Sequence, residues 1–94
     1  MQLGTLISRV TLDADRVISA SSVRVHGVCV SNAAAVAVEV VFEDNSGIPL
    51  LNIVVPALDS RTFEGPWLAD NGLNVLGLGD ADIVVTVIHS QPGA

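Results

Sequence analysis

The chain has 94 residues, half of them hydrophobic and only 15% charged, with two Phe, one Trp and no Tyr, so a single small domain must fill its core with Val, Leu, Ile and Ala. Its net charge is −6, Lys is absent, and the basic residues are the isolated Arg9, Arg16, Arg24 and Arg61. Without a Lys/Arg cluster to neutralise phosphates, nucleic-acid binding is not expected; an anionic membrane surface would repel the protein, and the lone Cys29 excludes an intrachain disulfide.

At the N-terminus, MQLGTLISRV shows no basic region followed by a long apolar stretch and no small-residue cleavage site. Later apolar stretches are broken by Ser31, Asn32 and Glu39 too soon for a membrane helix, so the chain is expected to be soluble and made in the cytoplasm. Residues 3 to 12 read as one or two strand-like pieces, with Leu6, Ser8, Val10 and Leu12 on one face and Ile7, Arg9 and Thr11 on the other. Asp13-Ala14-Asp15 interrupts them, and the short piece RVISA follows. In SVRVHGVCVSN, Val23 and Val25 share one parity and Val28 and Val30 the other, a phase change at Gly27 that predicts a β-bulge, with Cys29 turned away from the Val28/Val30 face.

The stretch Ala35 to Asp44 has the cleanest alternation. Val36, Val38, Val40 and Phe42 fall at every second position, which predicts a strand with those residues buried and Ala35, Ala37, Glu39 and Val41 outward. Asp44-Asn45-Ser46-Gly47 is a turn, and IPLLNIVV closes the hairpin before Pro56. LDSRTFEGP reads as a short strand with Phe63 inward, and Trp67-Leu68 precedes the turn Asp70-Asn71-Gly72. The last two runs, LNVLGLG and DIVVTVIHS, read as neighbours joined tightly through Gly79-Asp80-Ala81; Ile83, Val85 and Val87 form the buried face, and Val84, Thr86 and Ile88 the other. No helical period appears. Seven or eight short strands with turns between them predict one all-β domain over residues 1–94, an antiparallel β-sandwich with Greek-key, immunoglobulin-like or jelly-roll connections.

No stretch carries specific catalytic or metal-site chemistry, and neither a reaction nor a cofactor is expected. His26 and His89 lie far apart in sequence and lack the close spacing of a zinc site. No nucleophile elbow presents a serine. Asp13/Asp15 and Asp80/Asp82 are oxygen-rich pairs that could face calcium, yet neither continues into a loop of regularly spaced ligands, and turn chemistry accounts for them. Trp67 could stack a sugar, or plug an end of the sandwich, or sit in a subunit contact. The outward apolar residues Ala35, Ala37, Val41, Val84 and Ile88, with Leu3 and Leu6 of the N-terminal segment and Trp67, are the candidate oligomer or assembly contacts.

From Val17 to His89 the order of motifs resembles that of small bacteriophage virion proteins, the head decoration, cement and fibre-associated β-sandwiches. The matching pieces are Gly27-Val28-Cys29-Val30-Ser31-Asn32, the Ala/Val-rich stretch Ala33 to Phe42, the acidic turn Asp44 to Gly47, Ile53-Val54-Val55-Pro56, Thr62-Phe63, Asn71-Gly72-Leu73-Asn74-Val75 and Asp82 to His89. The resemblance implies a non-enzymatic structural protein located in the virion, a homo-oligomer with a trimer favoured, partnered with a major capsid or other virion protein. Residues 1–15 fall outside the pattern and would serve as an arm contacting a neighbouring subunit. The alternative is a tail or fibre-associated carbohydrate-binding module using Trp67 and the acidic turns.

Overall fold

In the computed structural model, which describes residues 5–77 and 79–91, the alternating segments become eight strands and no helix. They are β1 (Leu6–Leu12), β2 (Arg16–Ser19), β3 (Val23–Asn32), β4 (Val38–Glu43), β5 (Pro49–Val55), β6 (Asp59–Ala69), β7 (Leu73–Val75) and β8 (Asp80–Ser90). Two antiparallel four-stranded sheets result, in the orders β1-β8-β3-β6 and β2-β7-β4-β5. The first strand pairs with the last, the second with the seventh, the third with the sixth and the fourth with the fifth. This is one long hairpin rolled into two layers, closed by the β3·β8 and β4·β7 pairs, and of the three topologies compatible with the sequence it is the jelly roll.

The core between the layers is almost entirely aliphatic. Val23, Val25, Val28 and Val30 of β3 face Val40, Phe42, Ile53 and Val55 of the other sheet, with Leu12, Leu73, Val75, Ile83, Val85 and Val87 completing it. Each such side chain removed from water contributes about 1.5–3 kcal/mol against the entropy of ordering the chain. β3 has its phase change where Gly27 places it: the register with both β6 and β8 slips between Val25 and Gly27, so valines of opposite sequence parity enter the same core. The steric demand for glycine lies across the ladder, however. A Cβ on Gly27 would make ordinary contact, 3.7 Å from the Phe63 carbonyl oxygen, whereas one on Gly65 would collide with the Val25 carbonyl oxygen.

Four expectations need correction. The central strand starts at Val38, not Ala35; residues 33–37 form a loop that leaves Val36 exposed, because buried Asn32 binds the backbone there and ends the alternation. Phe63 has the inward parity, opposite buried Val28, yet stays 40% exposed because β6 is the edge of its sheet. The last two runs are not a hairpin: β7 lies between β2 and β4 and β8 between β1 and β3, so their connection crosses from one sheet to the other. Residues 6–12 are a strand of the chain's own sheet, paired with β8 from Leu6↔His89 onward, so a neighbour would meet β1 along its far edge or its exposed outer face and not as a detached arm.

The hairpin turn forms as expected, with the Asp44 carboxylate accepting from the N–H groups of Ser46 (2.8 Å) and Ile48 (3.0 Å). Val40→Ala should lower the unfolding free energy by about 1–3 kcal/mol in chemical denaturation, while Val41→Ala on the outer face should cost less than 1 kcal/mol, roughly speaking; equal losses would mean that the facing of β4 is wrong. Gly65→Ala should cost about 1–3 kcal/mol and Gly27→Ala clearly less, since only the former meets backbone that has nowhere to move.

Candidate functional site

Alternation along four paired strands lays out the outer face of the β1-β8-β3-β6 sheet in three rows. Ile7, Ile88, Gly27 and Glu64 form one; Arg9, Thr86, Cys29 and Thr62 the next; Thr11, Val84, Ser31 and Ser60 the third. Within these rows only Arg9 and Glu64 are charged, and the rest are hydroxyl, small or aliphatic side chains; beyond them the face continues through exposed Arg24, flanked by Ser90 and Leu68. Ile7, which is 67% exposed, stands beside exposed Ile88, and both adjoin the open edge of β1. The outer face of the other sheet differs. Glu39, Glu43 and Asn74 there separate Val41, Val54 and Val17, so no continuous apolar area forms. A flat, weakly charged face next to an unpaired strand edge is suited to association with another protein surface.

The candidate contact residues are not brought together. Val84 and Ile88 lie on the face just described, and Leu6 is exposed at the start of β1. Val41 is half-buried on the opposite sheet, its carbonyl accepting from the Leu76 N–H at 3.0 Å. Ala35 and Ala37 are exposed in the β3–β4 loop, not on a strand face. Trp67, on the edge strand β6, is half-buried and packs on the core opposite Val25, which makes it a structural part rather than a free aromatic platform. Leu3 lies outside the described residues. Ile7, Leu58 and Leu68 are exposed apolar residues that the sequence pattern does not single out as contacts: Ile7 shares its strand face with Arg9 and Thr11, and the others stand in segments without alternation.

The chain's polar groups serve mainly to join loops. The Asn45 N–H donates to the Asn71 carbonyl (2.9 Å), its Nδ2 donates to the Ala20 carbonyl (2.9 Å), and its Oδ1 accepts from Asn74 Nδ2 (3.2 Å). One amide thereby ties three connections and β7 together. Asp13 pairs with Arg16 at 2.9 Å, and the Asp15 carboxylate accepts from the Gly77 N–H at 2.6 Å, which are turn and loop-locking roles. Between β2, β7 and β4 runs a cleft of about 380 Å³ lined by Asp15, Arg16, Glu43, Asn45 and Asn74 among others. Among the described residues no three His, Cys, Asp or Glu side chains converge as metal ligands would. The two histidines, distant in sequence, do approach: His89 pairs with Val25, the neighbour of His26. His89 is 4% exposed, its Nε2 lies 2.8 Å from Ser8 Oγ, and its Nδ1 is buried with no partner among the described residues. His26 Nε2 instead meets Ser90 Oγ at 2.7 Å, at the surface. With no carboxylate on either imidazole, these pairs lack the third group that orients a catalytic base.

Comparison with protein-family models, curated proteins and solved structures returned no match.

Burial, reinforced by the neighbouring His26, holds His89 below the ordinary imidazole value. The folded state therefore favours the neutral ring, and this contribution, complete above the unfolded value of about 6.5, is lost as the pH falls below it. The melting temperature should fall between about pH 7 and pH 5, and His89→Gln, which keeps a hydrogen-bonding group toward Ser8, should flatten that slope; an equally steep variant would show that another group is responsible.

Proposed function

We propose that this chain is a non-enzymatic structural protein of a bacteriophage virion, made in the host cytoplasm, which self-associates and binds coat subunits as a cement or decoration protein. The reading is supported by the motif order that resembles such proteins and by the rolled eight-strand topology, an architecture used by viral capsid domains. Topology supports it only by analogy, since one fold hosts many functions. The observation that carries it is the outer face of the β1-β8-β3-β6 sheet, where Ile7, Ile88 and Val84 lie among mostly uncharged residues near the open edge of β1, with Arg9 and Glu64 the charged members of their rows. A standard interface hides about 800 Å² per partner, a sizeable share of the 5119 Å² described, and this face has the composition for it.

The trimeric state follows from the resemblance. The arm becomes an edge: a neighbour would contact β1 along its free side instead of receiving a detached strand. A second reading, a carbohydrate-binding module, draws on the cleft lined by Asp15, Arg16, Glu43, Asn45 and Asn74, whose groups suit sugar hydroxyls, and on lectin domains sharing the architecture. The cleft's lining contains no aromatic residue for stacking, which places this reading second.

Deleting residues 6–12 would strip β8 of one of its two partners and remove buried Leu12, so surface substitutions make the cleaner test. Light scattering of the purified protein at micromolar concentration should give a multiple of 9.7 kDa, and the Ile7→Glu/Ile88→Glu double variant should be monomeric with an unchanged circular dichroism spectrum. A parent protein that is already monomeric overturns self-association. Calorimetric titration with sugars giving saturable heat, abolished by Asn74→Ala, would favour the second reading.

A further inference from the structure

Because every strand runs antiparallel to the next, the connections alternate between the two ends of the sandwich. Those after β2, β4 and β6 gather at one end and, apart from Ala20 and exposed Ile48, are built of Ser, Asp, Asn and Gly, joined through Asn45. At the other end, the β3–β4 loop is Ala33-Ala34-Ala35-Val36-Ala37 and the β5–β6 loop is Pro56-Ala57-Leu58, with no polar side chain in either. Surface loops are ordinarily polar, so this end is anomalous by composition.

It is also rigid. The Asn32 side chain, 3% exposed, has Nδ2 within reach of the carbonyls of Val36 (2.9 Å), Val55 (3.2 Å) and Pro56 (3.1 Å), while its Oδ1 accepts from the Ala34 N–H (2.8 Å). The Leu58 N–H donates to the Ala34 carbonyl at 3.1 Å and joins the two loops directly. Their largest side chains nonetheless point out, Val36 63% and Leu58 75% exposed. Leu58 also has φ 55°, a left-handed conformation that Gly or Asn adopts at less cost. Leucine at this position gains neither turn chemistry nor core burial from its own chain.

The surrounding charge selects the occupant. Asp13, Asp15, Asp59, Asp80 and Asp82 belong to this end, against Arg16 and Arg61, which are paired with Asp13 at 2.9 Å and Asp59 at 3.7 Å. A second copy meeting it end to end would oppose carboxylates to carboxylates, and a chain without Lys and with four scattered Arg has no basic surface to offer instead. Anionic lipid is repelled for the same reason. We propose that Val36 and Leu58 form a preorganised docking knob that enters an apolar pocket rimmed by Lys and Arg on a different protein. This rests on the assembly reading and specifies its attachment face, at an end of the sandwich distinct from the sheet face assigned to self-association.

The test places p-benzoyl-phenylalanine at position 36, at position 58, or at position 52 on the outer face of β5 as a control, with irradiation in the producing host and mass-spectrometric mapping of the joined peptides. Positions 36 and 58 should join to the same site on one other protein, flanked by Lys or Arg, with yields that fall when a lysate of that host is irradiated at about 1 M salt, where the screening length is about 3 Å; position 52 should not. Leu58→Gly should cut the position-36 yield at least about fivefold, as loss of an anchoring side chain does, while leaving the melting temperature equal or higher and the light-scattering mass unchanged. Adducts to another copy of the chain, to lipid, or scattered over unrelated proteins overturn the proposal, as does a Leu58→Gly protein that melts several degrees lower. A changed mass in that variant would also overturn the separation of the two faces, whereas loss of self-association in the Ile7→Glu/Ile88→Glu variant alone leaves the knob intact.

Discussion

Everything in this fold hangs on β3, the strand that hydrogen-bonds to β6 on one side and β8 on the other and supplies four buried valines to the core. A ten-residue strand of strict alternation would send half of those valines to solvent, because a one-residue change of phase moves every later side chain to the other face. The bulge between Val25 and Gly27 absorbs that extra residue once, and β6 accommodates it because Gly65 leaves room for the Val25 carbonyl. With β3 in place, β8 and β1 continue the sheet on one side, and the second layer closes over the valines.

The core itself is chemically plain. It is packed from branched aliphatic side chains around Phe42, with Trp67 filling in from β6, and the two buried polar residues, Asn32 and His89, lie toward opposite ends. Asn32 meets its hydrogen-bonding needs with backbone from two loops, and thus exchanges the cost of burial for a rigid, apolar end. Among the described residues the His89 ring meets Ser8 alone, and its burial favours the neutral imidazole, so mild acid bears on this part of the interior. The two ends of the molecule are correspondingly unlike: one a network of asparagines, the other a pair of loops without polar side chains.

The functional reading depends on this distribution of surface chemistry and not on any reactive constellation. A face of mostly Ile, Val, Thr and Ser next to an unpaired strand edge, and two apolar loops at an end that also carries carboxylates, are the two surfaces of different character on which that reading rests. Their separation matters for an assembly protein, because one can hold copies of the chain together while the other meets a foreign subunit. In the proposed docking, the short range of screened charge would make the second surface selective in approach, and an apolar contact at Val36 and Leu58 would supply affinity once water is excluded.

By itself the sequence determined that this is an all-β sandwich, where the Asp44 turn falls, that β3 breaks phase at Gly27, and that Ile83, Val85 and Val87 are buried, because period-2 alternation and turn chemistry act over a few neighbouring residues. Only the tertiary structure decided which strands share a sheet: nothing local to LNVLGLG and DIVVTVIHS says that they pair with different partners across the sandwich. It also decided where alternation stops carrying meaning. Val36 continues the pattern of Val38 and Val40, yet Asn32 takes the backbone there into a loop; Phe63 has the parity of the core but sits at a sheet edge. Ile7 reads as the outward side of an N-terminal arm and becomes part of a candidate contact face only because β8 sets Ile88 beside it. Burial depends on what covers a side chain, and the covering residues here come from strands more than eighty positions away, as Ser8 and His89 illustrate with a separation of 81.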